Sequence, residues 1–231
     1  MKKPPVLGLA LLSTALVACA PSINKAAKAD VDRRIATIQP TGKSFDAPSS
    51  HDPMSLTVGQ WTQYKTSDDN NRPGFTTYKI VGEEAGAYWI ETVHEDYFGR
   101  TVTKMLVALG DRKDPRSMDI RTVKMKNHDG TITEIDPQTM QFMKSMWEGT
   151  LANLVIYWEG LPQEDASVPA GSFSRCFKTR TTVSAYGYSV TSDAWAHPSV
   201  PINGLVKSQG VDKNFTMELV DFGTSGATSE L

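Results

Sequence analysis

Cysteine is nearly missing from this 231-residue chain, which holds only Cys19 and Cys176. That excludes a disulfide-dense scaffold and a zinc site built from several thiolates. An excess of either charge is missing too. Lys and Arg number 24 against 26 Asp and Glu, a formal net charge of -2, and there is no basic tract. Such a balance argues against a nucleic-acid binder. The zinc pattern HExxH, the nucleophile pattern GxSxG, a glycine-rich phosphate loop and a calcium-binding EF-hand loop are all absent. No hydrophobic run reaches the length of an ordinary membrane span. What remains is a composition suited to one sizeable folded core rather than disorder throughout.

The first distinctive stretch is at the start. Lys2 and Lys3 precede Val6 to Val17, which is apolar apart from Ser13 and Thr14. A basic start, a short apolar run and small residues read as a secretory signal. It ends in Leu16-Val17-Ala18-Cys19. Cleavage near Ala18 or Ala20 beside an incidental cysteine is the plain reading. The four residues also match in full the lipobox of bacterial lipoproteins, and the chain resembles that family here. The resemblance implies that Cys19 carries diacylglycerol on its thiol, that the chain is cut before it, and that its new amine is acylated. Ala20 stands where an aspartate would favour inner-membrane retention. The resemblance therefore implies outer-membrane sorting in a two-membrane bacterium, with the domain facing the periplasm. Several acyl chains anchor a protein stably where one holds it only reversibly. Cys176 would then be the sole thiol, with no internal disulfide.

The expected organisation is a signal peptide over 1–18, a lipidated N-terminus and flexible tether over 19–53, a β-rich domain over 54–223 and a flexible tail over 224–231. Residues 20–53 carry few large apolar groups, with a weak helical hint from Val31 to Ile38. From Gln60 onward the signal is period two, in runs such as Phe75 to Val81, Tyr88 to Glu95, Thr101 to Leu109 and Met118 to Lys126. Turn residues separate them, which predicts an antiparallel meander. In Tyr88 to Glu95, Trp89, Glu91, Val93 and Glu95 fall on one face, and Tyr88, Ile90, Thr92 and His94 on the other. Phe173 to Val183, Tyr186 to Trp195, Leu205 to Ser208 and Phe215 to Phe222 read as later strands. The fold class is thus α+β, mainly antiparallel β. It is a single curved sheet or half-barrel of about nine to eleven strands packed over a central helical insertion.

That insertion starts where Asp136 can cap a helix and Pro137 suits its first turn. Met140, Met143, Trp147, Leu151 and Leu154 recur at spacings of three or four, and Phe142 and Met146 widen the face. One reading is a helix that packs the sheet core. The other is a helix that leaves an apolar cleft against the sheet, since methionines adapt to irregular partners. The candidate cleft residues are Trp89, Met140, Met143, Met146, Trp147, Leu151, Leu154 and Trp158, with Trp195 a further tryptophan that could line it. Such a cleft suggests a bound lipid or fatty acid, met through its acyl chain or headgroup, or another hydrophobic small molecule. No metal site and no cofactor are expected.

Residues with reactive side chains are few. His94 lies near Glu91 and Glu95, but on a strand both carboxylates point away from it. His197 sits in a loop rich in proline, where His197, Pro198, Pro201 and Leu205 form a candidate partner surface. Cys176 lacks an assigned base and reads as a buried small residue.

The order of elements supplies a second resemblance, over about 56–223. It rests on Val58-Gly59-Gln60-Trp61 at the domain start and Val168-Pro169-Ala170-Gly171-Ser172-Phe173 before the later strands. These features resemble the half-barrel fold of bacterial lipoprotein-localisation factors. The resemblance implies a curved sheet, covered by helices, around an apolar cavity for acyl chains. The exposed apolar loop of that family's membrane receptor has no unambiguous equivalent; Leu205 and Val206 can simply begin a strand. The expected function is that of a non-enzymatic outer-membrane lipoprotein whose periplasmic domain binds an acyl chain or lipoprotein lipid. The alternatives are an envelope interaction module without a cavity, and a hydrolase whose site comes from distant strands. The oligomeric state stays open.

Overall fold

Alternating β-branched, aromatic and polar residues carry the chain through twelve strands in the computed structural model, which describes residues 22–110, 118–136, 138–140, 158–185 and 188–231. Helix α1 (Lys25–Thr37) and β1 (Ser44–Phe45) come first. They are followed by β2 (Trp61–Ser67), β3 (Pro73–Glu84), β4 (Ala87–Asp96), β5 (Gly99–Leu109), β6 (Met118–Lys126) and β7 (Ile132–Glu134). Then come β8 (Gln163–Val168), β9 (Gly171–Ala185), β10 (Tyr188–Ala196), β11 (Leu205–Gly210) and β12 (Thr216–Gly223). All twelve join one open sheet in the order β1-β9-β10-β11-β12-β2-β3-β4-β5-β6-β7, with β8 on the other edge of β9. Every pairing is antiparallel except β1 with β9.

The fold is therefore mainly β. The described helical residues are α1 and one turn at 138–140, and the rest of the expected central insertion lies outside the described residues, so the α part of an α+β class is not shown. Twelve strands replace the expected nine to eleven; β1, two residues long, is too short for alternation to reveal. The β3–β4 hairpin turns on Ala85 and Gly86, both at positive φ (48° and 71°). A two-residue turn that follows the twist of its strands needs both residues in that region.

One face of the sheet holds most of the core. Ile80, Ile90, Met105 and Val123 stand in cross-strand register from β3 to β6, and all are buried. Leu56 and Ile202 join the cluster. A second cluster gathers Tyr64, Phe173, Val200, Val206 and Leu219, and Tyr78 packs against both. The loop expected as a partner surface is thus largely part of the core. Pro201 is buried, Leu205 is buried, and Val200 and Ile202 fill the space over the sheet. Proline marked this segment as irregular, but irregular backbone can still bury apolar side chains. Here its polar groups find partners: the Tyr64 hydroxyl lies 2.9 Å from Leu205 O and 3.0 Å from Asn203 Oδ1.

The segment expected as a tether is folded onto the sheet wherever it is described. Asn24 caps α1, its Oδ1 accepting from the Ala26 and Ala27 amides, while its own amide donates to Tyr97 O at 2.8 Å. Val31 is buried against the sheet face opposite Ile90. Arg34 reaches Glu95 at 2.6 Å and lies 4.0 Å over the Phe75 ring. Further on, Phe45 stacks on Phe173 with ring centroids 4.3 Å apart. One valine, one phenylalanine and specific ion pairs do the packing, so composition alone suggested a linker. The tail over 224–231 also lies on the sheet rather than free of it, with the Ala227 amide donating to Gly59 O at 2.9 Å.

Candidate functional site

A partly exposed apolar surface lies on the core face of β3 to β7. Ile80, Ile90, Met105 and Val123 form its floor. Tyr78, Tyr88, Leu109, Met125, Ile135 and Met140 pack against that floor while staying partly exposed. Met140 is brought there by the helical turn whose cap is Asp136: its Oδ1 accepts from the Gln138 and Thr139 amides, both at 3.0 Å. Those bonds hold the Asp136 carboxyl below the usual carboxylate range, led by the Thr139 hydroxyl. Burial pushes the Tyr78 phenol up, so it stays neutral and adds no charge to the surface. Such a site can take an apolar chain; its surface chemistry suits burial rather than bond-breaking.

The eight expected cleft residues do not all converge here. Met140 does. Met143, Met146, Trp147, Leu151 and Leu154 lie outside the described residues, as does Cys19. Trp89 is on the opposite face, where its Nε1 donates to Glu84 at 3.0 Å and Lys104 lies 5.2 Å from its ring. Trp158 stacks on Phe177, centroids 5.4 Å apart, in a separate cluster with Ala196. Trp195 is buried between Lys178 and Lys207, 4.7 and 4.1 Å from its ring centroid. The site residues missed in the sequence are Tyr78, Tyr88, Leu109, Met125 and Ile135. Period two could have found Tyr88, which shares its face with Ile90 and not with Trp89.

A recess of about 520 Å³ opens away from that surface, between Ser44–Ser50, Met54 and His197–Ser199. His197 borders it but is 1% exposed. Its Nε2 lies 2.9 Å from Asp46 O, and its Nδ1 accepts from the Ser199 amide at 3.2 Å. Both ring nitrogens are therefore occupied by backbone, the arrangement of a neutral structural histidine. Pro198 lines the same recess and is half-buried.

Burial lowers the His197 pKa below its ordinary 6.5, against a smaller opposing effect of the Asp46 carbonyl. The unfolded chain then binds the proton more readily than the fold. Its contribution to stability is present above about pH 6.5 and is lost as pH falls through the lower folded value. Thermal melting between about pH 7.5 and 5 should show Tm falling with acid, and His197→Gln should flatten that fall. An identical slope in the variant would assign the acid sensitivity elsewhere.

The other reactive candidates have structural partners. Burial, with a smaller contribution from Asp165, pushes the Cys176 thiol up to about 12, so it is no nucleophile at neutral pH. Next to it, Arg175 has a positive φ of 54° and its amide donates to Asp165 at 2.8 Å. That turns Arg175 outward, and its side chain is exposed. His94 stands on the exposed β4–β5 hairpin, 3.4 Å from Asp96 and 3.1 Å from the Thr76 hydroxyl. No group of three or more His, Cys, Asp or Glu positioned to hold a metal occurs among the described residues. No described helix is long and apolar enough to cross a membrane. Compared with known proteins, the chain matches no family model and no curated protein.

Proposed function

We propose that this is a non-enzymatic outer-membrane lipoprotein, anchored through Cys19, whose periplasmic domain is a half-barrel that binds an acyl chain or the lipid of another lipoprotein. The observation that carries the reading is the partly exposed apolar rim of Tyr78, Tyr88, Leu109, Met125, Ile135 and Met140 over the buried floor of β3 to β6. The lipobox at Leu16 to Cys19 supports the anchor. The packing of α1 alters how the anchor works. Only four residues lie between Cys19 and Asn24, five Cα steps in all, and the Asn24 amide is fixed to Tyr97 O. Five extended steps span at most about 17 Å, so the β4–β5 hairpin is held close to the membrane rather than ranging on a long tether.

Two measurements test the proposal on the full chain. Mass spectrometry of the N-terminal peptide should find diacylglycerol on Cys19, and Cys19→Ala should move the protein to the soluble fraction. Fluorescent fatty acids should bind the purified protein with affinity rising roughly fourfold per added methylene, the value of about 0.8 kcal/mol for each one buried. Met125→Lys should lower that affinity at least about tenfold, because it puts a charge into the apolar rim. A folded protein that binds no probe and carries no lipid overturns the ligand, whatever the anchor does.

A further inference from the structure

The opposite face of the same sheet carries a charged site that the apolar reading does not use. Strands β3, β4 and β5 set Lys79, Glu91 and Lys104 side by side in register. Alternation groups Glu91 with Trp89, Val93 and Glu95 on one face, and its side chain is 0% exposed there. The chain's own residues 228–231 cover it.

The contacts are specific. The Ser229 hydroxyl and the Glu230 amide both donate to Glu91 Oε2 at 2.9 Å. Lys104 Nζ donates to Ser229 Oγ at 2.8 Å and to Leu231 O at 2.7 Å. Lys79 Nζ lies 3.3 Å from Glu91 and 3.4 Å from Thr228 O, and it also pairs with the Glu230 carboxylate. Arg100 pairs with Glu230 as well. The sheet thus offers one acceptor for a peptide N–H and a hydroxyl, two donors for main-chain oxygens, and two cations for an acidic side chain. With the segment displaced, Glu91 opens to water and keeps Lys79 beside it at 3.3 Å, so the site remains charged and ready for an incoming peptide.

The segment is held almost entirely by these polar contacts. Thr228, Ser229 and Glu230 remain exposed, and the segment's one large apolar side chain, Leu231, is half-buried. Segments with little apolar burial open locally at low free energy. We propose that Lys79, Glu91, Arg100 and Lys104 form a binding site for an extended acidic peptide of Thr-Ser-Glu-Leu type, and that residues 227–231 are its displaceable resident ligand. An acidic segment of this pattern on a partner protein exchanges with the tail, making this face a protein-recognition surface gated by the chain itself.

The test uses the full chain and a labelled peptide, Gly-Ala-Thr-Ser-Glu-Leu, capped at both ends. A tethered segment competes at an effective concentration near the millimolar range, so the wild-type chain should bind the free peptide weakly. Glu230→Lys places a third cation against Lys79 and Arg100, and should raise affinity for the added peptide at least about tenfold by opening the site. Glu91→Gln on that background should lower it again at least about tenfold, as should replacing the peptide's glutamate by lysine. A folded Glu230→Lys chain that fails to bind millimolar peptide overturns the proposal. Hydrogen exchange on the wild-type chain is the second arm, should that variant not fold. A Glu230 amide exchanging well before the amides of β3 to β5 supports displacement, and one exchanging only with global unfolding overturns it.

Discussion

Phe173→Ala is expected to lower the unfolding free energy by about 3–5 kcal/mol, read as a lower urea midpoint with little change in slope. Phe173 is 1% exposed and is where three parts of the chain meet. Phe45 of β1 stacks on it at 4.3 Å with the planes 8° apart. Phe222 of β12 lies 6.4 Å away, and the His197 ring meets it edge-on at 5.5 Å. Alanine removes the surface against which all three pack; Phe45 and Phe222 already touch each other, with centroids 5.6 Å apart, but each loses its contact with the central ring. Phe45→Ala should cost less, since that ring is only half-buried. A Phe173→Ala loss below about 1 kcal/mol would mean that β1 is not packed in solution, and the segment before Leu56 would return to being a tether.

That experiment bears on which parts of the fold are legible in the sequence. Strands β2 to β6 are legible because each repeats its pattern over seven or more residues between turn-forming residues. The alternating run from Met118 to Lys126 coincides with β6 to the residue, and Asn127 to Gly130 turns as its composition suggests, with Gly130 at a φ of 85°. The Asp136 cap is legible for the same reason: a cap is a local hydrogen bond between near neighbours. What escapes is held by distant partners. Arg34 finds Glu95 and Phe45 finds Phe173, and neither pairing leaves a trace in local spacing. Glu91 is the sharpest case. Alternation places it on a strand, but the groups that bury it arrive from 138 and 139 residues away.

The apolar site is half legible for a related reason. Alternation alone separates Tyr88 and Ile90 from Trp89, and the folded sheet keeps that division. Gathering the tryptophans into one cleft goes beyond it. Aromatic size says that a side chain wants burial, and strand parity says on which face. Trp89, Trp158 and Trp195 satisfy the first in three separate places.

Gly204→Ala is expected to destabilise the fold by about 2–5 kcal/mol, a large effect for one added methyl group. Gly204 sits at a φ of +69° in the loop that fills the core, with its carbonyl accepting from the His197 amide at 2.8 Å. A side chain in the left-handed region accounts for about 1–2 kcal/mol of the loss. The rest is steric: a Cβ there would lie 2.5 Å from both Cζ2 and Cη2 of Trp158. The indole cannot swing aside cheaply, because it is buried and stacked on Phe177. The two contributions separate in a double-mutant cycle with Trp158→Leu. Shrinking the ring should relieve the collision and leave the backbone strain, so the double variant should be more stable than additivity predicts by about 1 kcal/mol or more. Strict additivity would remove the collision from the explanation. A Gly204→Ala protein within about 0.5 kcal/mol of the parent would mean that the loop does not plug the core in this conformation. The sheet face over Ile80, Ile90 and Met105 would then be more open to an apolar ligand than the packing of Ile202 allows.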